Sequence, residues 1–138
     1  MKLQIIVITG VLLVALYSCK KEKTCNCSGA SNGIVGEWRL VEVLFDPGDG
    51  SGTFQSVASN KEIKFCDNGT FESNGNMCTM SSEADSTTYG TYDTSAETFA
   101  PDNCMMMPPM AYFYSVDGDT LLLRYPCIEP CQQKYVRI

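Results

Sequence analysis

Sulfur dominates the reactive side chains of this chain: eight cysteines and seven methionines stand against no histidine. Without imidazole there is no Ser-His-Asp or Cys-His nucleophile pair, no histidine general base and no zinc set that includes histidine. Soft ligands remain. Met77, Cys78 and Met80, with Cys104, Met105, Met106, Met107 and Met110, gather thioethers and thiols in two loops, a donor set that suits Cu(I). Methionine also fills irregular gaps and forms adaptable apolar surfaces. That packing role is the expectation here, with no metal and no cofactor, and Cu(I) binding is the alternative. Asp46 and Asp49 invite a calcium site, but their spacing departs from the EF-hand loop and no terminal glutamate follows, so they mark a turn. Glu42 shares a strand face with Trp38, Leu40 and Leu44 under a strict period of two. One carboxylate without a placed partner reads as a rim or core group rather than an acid-base catalyst, and no enzyme is expected.

The N-terminus carries the sharpest targeting signal. Lys2 precedes a nearly continuous apolar run over residues 5–16, which is followed by Leu16, Tyr17, Ser18 and Cys19. That is the order of a secretory signal, and the run is shorter than the ~20 residues a membrane-spanning helix needs. The Leu-Tyr-Ser-Cys tetrad resembles the lipobox of bacterial lipoproteins, with Tyr17 bulkier than is usual there. The resemblance implies removal of residues 1–18, acylation of Cys19 with palmitate-like chains, and residence in the bacterial cell envelope, on the outer membrane. Acyl chains contribute about 0.8 kcal/mol per buried CH₂, so several of them hold a protein on a membrane without a spanning segment. Residues 19–33 are rich in Lys, Ser, Gly and Asn and read as a flexible tether. Lys20, Lys21 and Lys23 within it can reach anionic head groups.

With Cys19 set aside, seven cysteines remain: Cys25, Cys27, Cys66, Cys78, Cys104, Cys127 and Cys131. An exported chain with this many forms disulfides, and the odd number leaves one free or intermolecular. Cys127 and Cys131 would be too far apart in a strand, but Pro126 and Pro130 favour a tight turn that brings them together. Cys78 and Cys104 flank the weakest strands and are candidates to staple two loops. Cys66 has no obvious partner, and the remaining connectivity is open.

From residue 34 onward six basic residues face fifteen acidic ones, a balance of −9 that argues against nucleic acid as a partner. The segment GEWRLVEVLF at 36–45 opens this domain with strand-forming residues on both faces, so both sides of the strand are expected to meet protein. Glycine-rich DPGDGSG at 46–52 ends it. Further runs follow at 54–57, 62–66, 70–72, 88–93, 97–100, 112–116, 120–125 and 134–138, with Asn68-Gly69 the strongest hairpin signal and 73–86 a polar loop. An all-β domain over 34–138 results, a small antiparallel up-and-down barrel of about eight strands, with an open β-sandwich as the alternative.

Gly36-Glu37-Trp38 at the start of the first strand, the strand count, and the ending CIEPCQQKY followed by Val136, Arg137 and Ile138 resemble the bacterial lipocalin-like lipoproteins. The second lipocalin motif, a Thr-Asp-Tyr turn, is absent. The resemblance implies that Trp38 closes a barrel floor behind Gly36 and that Arg137 packs across it. By the period of two, Leu40, Ile63, Phe65, Leu121, Leu123 and Tyr125 line the interior, with Glu42 as a polar anchor for a small hydrophobic or amphipathic ligand. A membrane-anchored binding protein is the first expectation. The second is an interaction or inhibitor module with a filled barrel that presents its Met-rich and acidic loops to a protein partner.

Overall fold

The computed structural model describes residues 25, 33–105 and 111–138. The signal segment, Cys19, Cys27 and the three tether lysines lie outside the described residues, as do Met106, Met107 and Met110. The elements are β1 (Gly36–Phe45), β2 (Gln55–Ser56), β3 (Glu62–Phe65), β4 (Thr70–Ser73), β5 (Thr88–Asp93), β6 (Thr98–Pro101), β7 (Tyr112–Asp117), β8 (Thr120–Tyr125) and β9 (Cys131–Arg137). There is no helix among the described residues.

Strands β1 and β3 to β9 each pair antiparallel with the next, and β9 returns to β1, closing an eight-stranded barrel. The short β2 is a ninth strand, paired with the far half of β1 through Glu42↔Ser56 and Val43↔Gln55. The β1–β9 ladder excludes the open sandwich, and closure removes the unpaired edges that a single sheet would leave.

Side chains alternate inward and outward. Leu121, Leu123 and Tyr125 on β8 and Cys131, Gln133 and Tyr135 on β9 are buried, as are Ile63 and Phe65 on β3. Outside, Arg39 pairs with Glu62 at 2.8 Å and Lys64 with Glu37 at 3.0 Å. One side of β1 therefore meets water in its first half, with Glu37 and Arg39 exposed, and the expectation that both of its faces are covered is corrected.

A β-bulge breaks the period of two in β1. Leu40 opposes Tyr135 and Glu42 opposes Lys134, leaving Val41 as the extra residue between them. Beyond the bulge the phase inverts. Val43, opposite the buried Gln133, packs against the core, while Glu42 and Leu44 move to the outer face with Lys134 and Gln132.

The two ends of the barrel differ in their connections. Tight turns join β3 to β4, β5 to β6 and β7 to β8 at one end, the floor. In the first of these the Gly69 N–H donates to the Cys66 carbonyl, and Gly69 has φ +80°, a conformation glycine adopts without steric cost. The longer connections, after β1, β4, β6 and β8, leave the sheet at the other end.

Candidate functional site

The floor is built around Trp38, which has no exposed surface. Its indole Nε1–H donates to the Ile34 carbonyl at 2.8 Å, and the Arg137 guanidinium lies 4.1 Å from its ring centroid. Arg137 also donates to the carbonyls of Val35 at 2.9 Å and Gly33 at 2.8 Å and pairs with Asp119 at 3.1 Å. One guanidinium thereby ties the entering chain, the last strand and the β7–β8 turn together, combining a cation-π contact with charge-assisted hydrogen bonds. Gly36 makes room for it. A Cβ there would sit 2.5 Å from Arg137 Nη1, and its φ of +143° disfavours any other residue.

Above the floor, the expected wall residues all turn inward. Leu40, Ile63, Phe65, Leu121 and Leu123 are 0–1% exposed and Tyr125 is 7%. The first five therefore have essentially no surface left for a water molecule to touch. Aromatic rings fill the middle: Phe65 to Phe71 at 5.4 Å, Phe71 to Phe99 at 6.0 Å and Phe99 to Tyr125 at 6.1 Å between centroids. The last two of these contacts are edge-on, an arrangement aromatic quadrupoles prefer. Gly90 on β5 fits this packing because a Cβ there would meet the Phe71 ring at 2.5 Å.

Glu42 does not join them. Its carboxylate pairs on the outer face with Lys134, whose ammonium also sits 4.2 Å from the Phe54 ring centroid. The bulge at Val41 is the physical reason, and the assignment of Glu42 as an interior polar anchor is corrected.

The interior's polar groups lie instead at the loop end. Lys61, immediately before β3, is fully buried and donates from Nζ to the carbonyls of Asn76 and Ser81, both at 2.7 Å, with Gln133 Oε1 at 3.4 Å. Gln133 Oε1 accepts the hydroxyls of Tyr125 at 2.7 Å and Tyr135 at 2.8 Å, while its Nε2 donates to the Ser81 carbonyl at 2.9 Å. Met77 is fully buried beside them, its thioether 3.9 Å from the Tyr125 hydroxyl. The loop between β4 and β5 thus drops Met77 into the barrel mouth and hands its backbone carbonyls to Lys61 as a plug. Burial pulls the Lys61 pKa down to about 8, against the opposing pull of the Asp85 carboxylate. The same desolvation pushes the Tyr125 and Tyr135 hydroxyls well above their ordinary range, keeping both as neutral donors.

Three disulfides brace the barrel, two at the loop end and one at the floor. Cys127 is joined to Cys131 and Cys78 to Cys104, the two pairings suggested by turn and loop, and Cys66 finds its partner in Cys25. Cys78 and Cys104 therefore offer no thiolate to a metal, and Met77 is enclosed by protein. Among the described residues no group of three or more Cys, Asp or Glu side chains is disposed to hold an ion. Within the described part of the sulfur cluster, Cys78 and Cys104 form a staple and Met77 a plug.

Lys61 and Gln133 are the residues that sequence reasoning missed, although each lies two residues from an inward position, Lys61 from Ile63 and Gln133 from Tyr135. Met77 takes the gap-filling role expected of the methionines. A comparison with protein-family models, with curated proteins and with solved structures finds no match to this chain.

Proposed function

We propose that this chain is a non-catalytic lipoprotein of the bacterial cell envelope, anchored through acylated Cys19, whose lipocalin-like barrel serves as a filled scaffold for protein contact. The supporting observation is the occupied interior: among the described residues, Trp38 fills the floor, the aromatic chain the middle and Met77 the mouth, and the inward wall residues have almost no free surface for a small apolar ligand. What the barrel offers outward is its loop end. Ile128, in the Cys127–Cys131 loop, is fully exposed, and Phe45 at the neighbouring rim is 65% exposed. The Asp46 N–H donates to the Pro130 carbonyl at 3.1 Å, so the acidic 46–52 turn and the 126–130 loop stand side by side. Exposed apolar groups rimmed by Asp49 and Glu129 suit a protein partner with an apolar pocket and a basic rim.

The lipobox and the tether support the anchor, and intact-mass analysis of protein purified from membranes tests it: an acylated chain beginning at Cys19 is expected, and an unmodified Cys19 refutes the anchor. Photo-crosslinking in cells tests the scaffold. A crosslinker at position 128 is expected to capture one discrete protein, whereas one at position 68 in the floor turn captures none; equal capture from both positions refutes a loop-end contact surface.

A further inference from the structure

The Cys25–Cys66 disulfide decides which end of the barrel can face a membrane, and the argument rests on the anchoring proposed above. Cys66 opens the tight turn between β3 and β4 at the floor. Cys25 lies six residues after Cys19 in the sequence. Six residues reach at most about 20 Å when fully extended, so the bridge confines the floor turn to within about that distance of an acylated Cys19. Without the bridge, the first fixed point would be Gly33, held by Arg137, and the intervening residues would reach roughly 50 Å, enough for the barrel to take any orientation. The loop end lies a full strand away, since the ten residues of β1 at about 3.3 Å each extend roughly 30 Å.

Lys20, Lys21 and Lys23 fall between the lipid site and the bridge, where they attract anionic head groups. The charge of the domain does not choose the end, since the floor turns carry the exposed carboxylates of Asp67, Asp93, Glu97, Asp117 and Asp119; the orientation rests on the short reach that the bridge leaves.

We infer that the Cys25–Cys66 bridge is an orienting clamp: it holds the barrel floor-first beside an anionic lipid surface and turns the loop end of Phe45 and Ile128 away from it. Trp38, the only tryptophan, marks the floor and serves as an energy-transfer donor. The test uses the full acylated protein in phosphatidylglycerol-containing vesicles that carry a dansyl head-group acceptor. Strong transfer from Trp38 is expected, falling several-fold in the Cys25→Ser, Cys66→Ser double variant while the protein still floats with the vesicles. A companion protein with Trp38→Phe and Ile128→Trp moves the donor to the loop end and is expected to show weak transfer with the bridge intact. Equal transfer from the two donor positions, or no change on removing the bridge, overturns the clamp. Protein that fails to float refutes the anchor instead, and the clamp with it. Should the double variant not fold, as peptide mapping of the other two disulfides would show, the comparison of donor positions decides alone.

Discussion

The two ends of this barrel are closed by different physics. At the floor, one aromatic ring is capped by one guanidinium, the turns are short, and the groups that meet come from Trp38, Arg137 and the backbone at 33–35. At the loop end, closure is made by a polar loop reaching across the mouth: Lys61 meets a carbonyl 20 residues away, and Gln133 meets the same carbonyl from 52 residues away. The floor uses one cation-π pair, a few backbone carbonyls and apolar burial, and joins residues more than 100 apart in the chain. The mouth depends on a buried network in which every polar group needs its partner, an arrangement that is costly when incomplete. A protein built this way has a fixed base and a closure that disulfides must steady, which suits a scaffold whose working surface is its loops.

The largest effect should come from the floor. Trp38→Ala removes the side chain on which Ile34, Arg137 and the β1 entry converge, and a loss of about 4 kcal/mol in chemical denaturation is expected; a loss below about 1 kcal/mol would show that the mouth alone holds the barrel. Next is the loop staple. Breaking Cys78–Cys104, which closes a 26-residue separation, should lower stability by about 3.5 kcal/mol, against about 2 kcal/mol for Cys127–Cys131 with its separation of 4. Paired Ser variants of each, compared under the same denaturant, give the ranking; the reverse order would mean that the 74–87 loop is not held by its bridge.

A smaller effect, and one confined to the mouth, is a pH dependence. Burial lowers the Lys61 pKa from its ordinary 10.5 to about 8, so between those values the unfolded chain holds a proton that the folded barrel has released. Stability therefore rises with pH across that window, by about 3 kcal/mol if the whole of it were traversed. Above pH ~10 the tyrosines act in the opposite sense. The raised pKa values of Tyr125 and Tyr135 keep them neutral when folded while the unfolded chain ionises, and stability is lost. Denaturation midpoints should climb from pH 8 towards pH ~10 and then fall, and the climb should vanish in Lys61→Met whatever that variant's absolute stability. A climb that persists in Lys61→Met assigns the dependence to another group.

The smallest effect is expected on the outer wall. Glu42→Gln breaks a partly exposed pair with Lys134 and should change stability by less than about 1 kcal/mol. A much larger loss would mean that Glu42 has a role in the interior after all.

How far the sequence revealed this molecule follows the same division. The strands β5 and β8 are legible to the residue, and Asn68-Gly69 marks its hairpin, because strand propensity and turn chemistry are local. The inward set on β3 and β8 follows from alternation. Glu42 was misplaced because a bulge is a property of the β1–β9 pairing, and nothing in the letters around Val41 announces an extra residue. The last strand begins at Cys131, three residues before the run that looked strand-like, since Gln132 and Gln133 lack strand-forming character while the ladder to β1 supplies their hydrogen bonds. The packing role of Met77 follows from the adaptability of methionine, but which methionine enters the mouth does not, because loops acquire positions from the barrel they cover and the polar stretch that carries this residue has no period of its own.

The central claim is that the barrel's own side chains occupy its interior, and the emission of Trp38 tests it most directly. Long-chain fatty acids and apolar dyes titrated into the folded protein should leave the wavelength and intensity of that emission unchanged, because the ring is sealed beneath the aromatic chain and its edge is held by the Ile34 carbonyl. A saturable shift in Trp38 emission at micromolar ligand, lost in a variant such as Leu123→Phe that adds bulk to the interior, would contradict the filled barrel and restore the small-ligand binding protein.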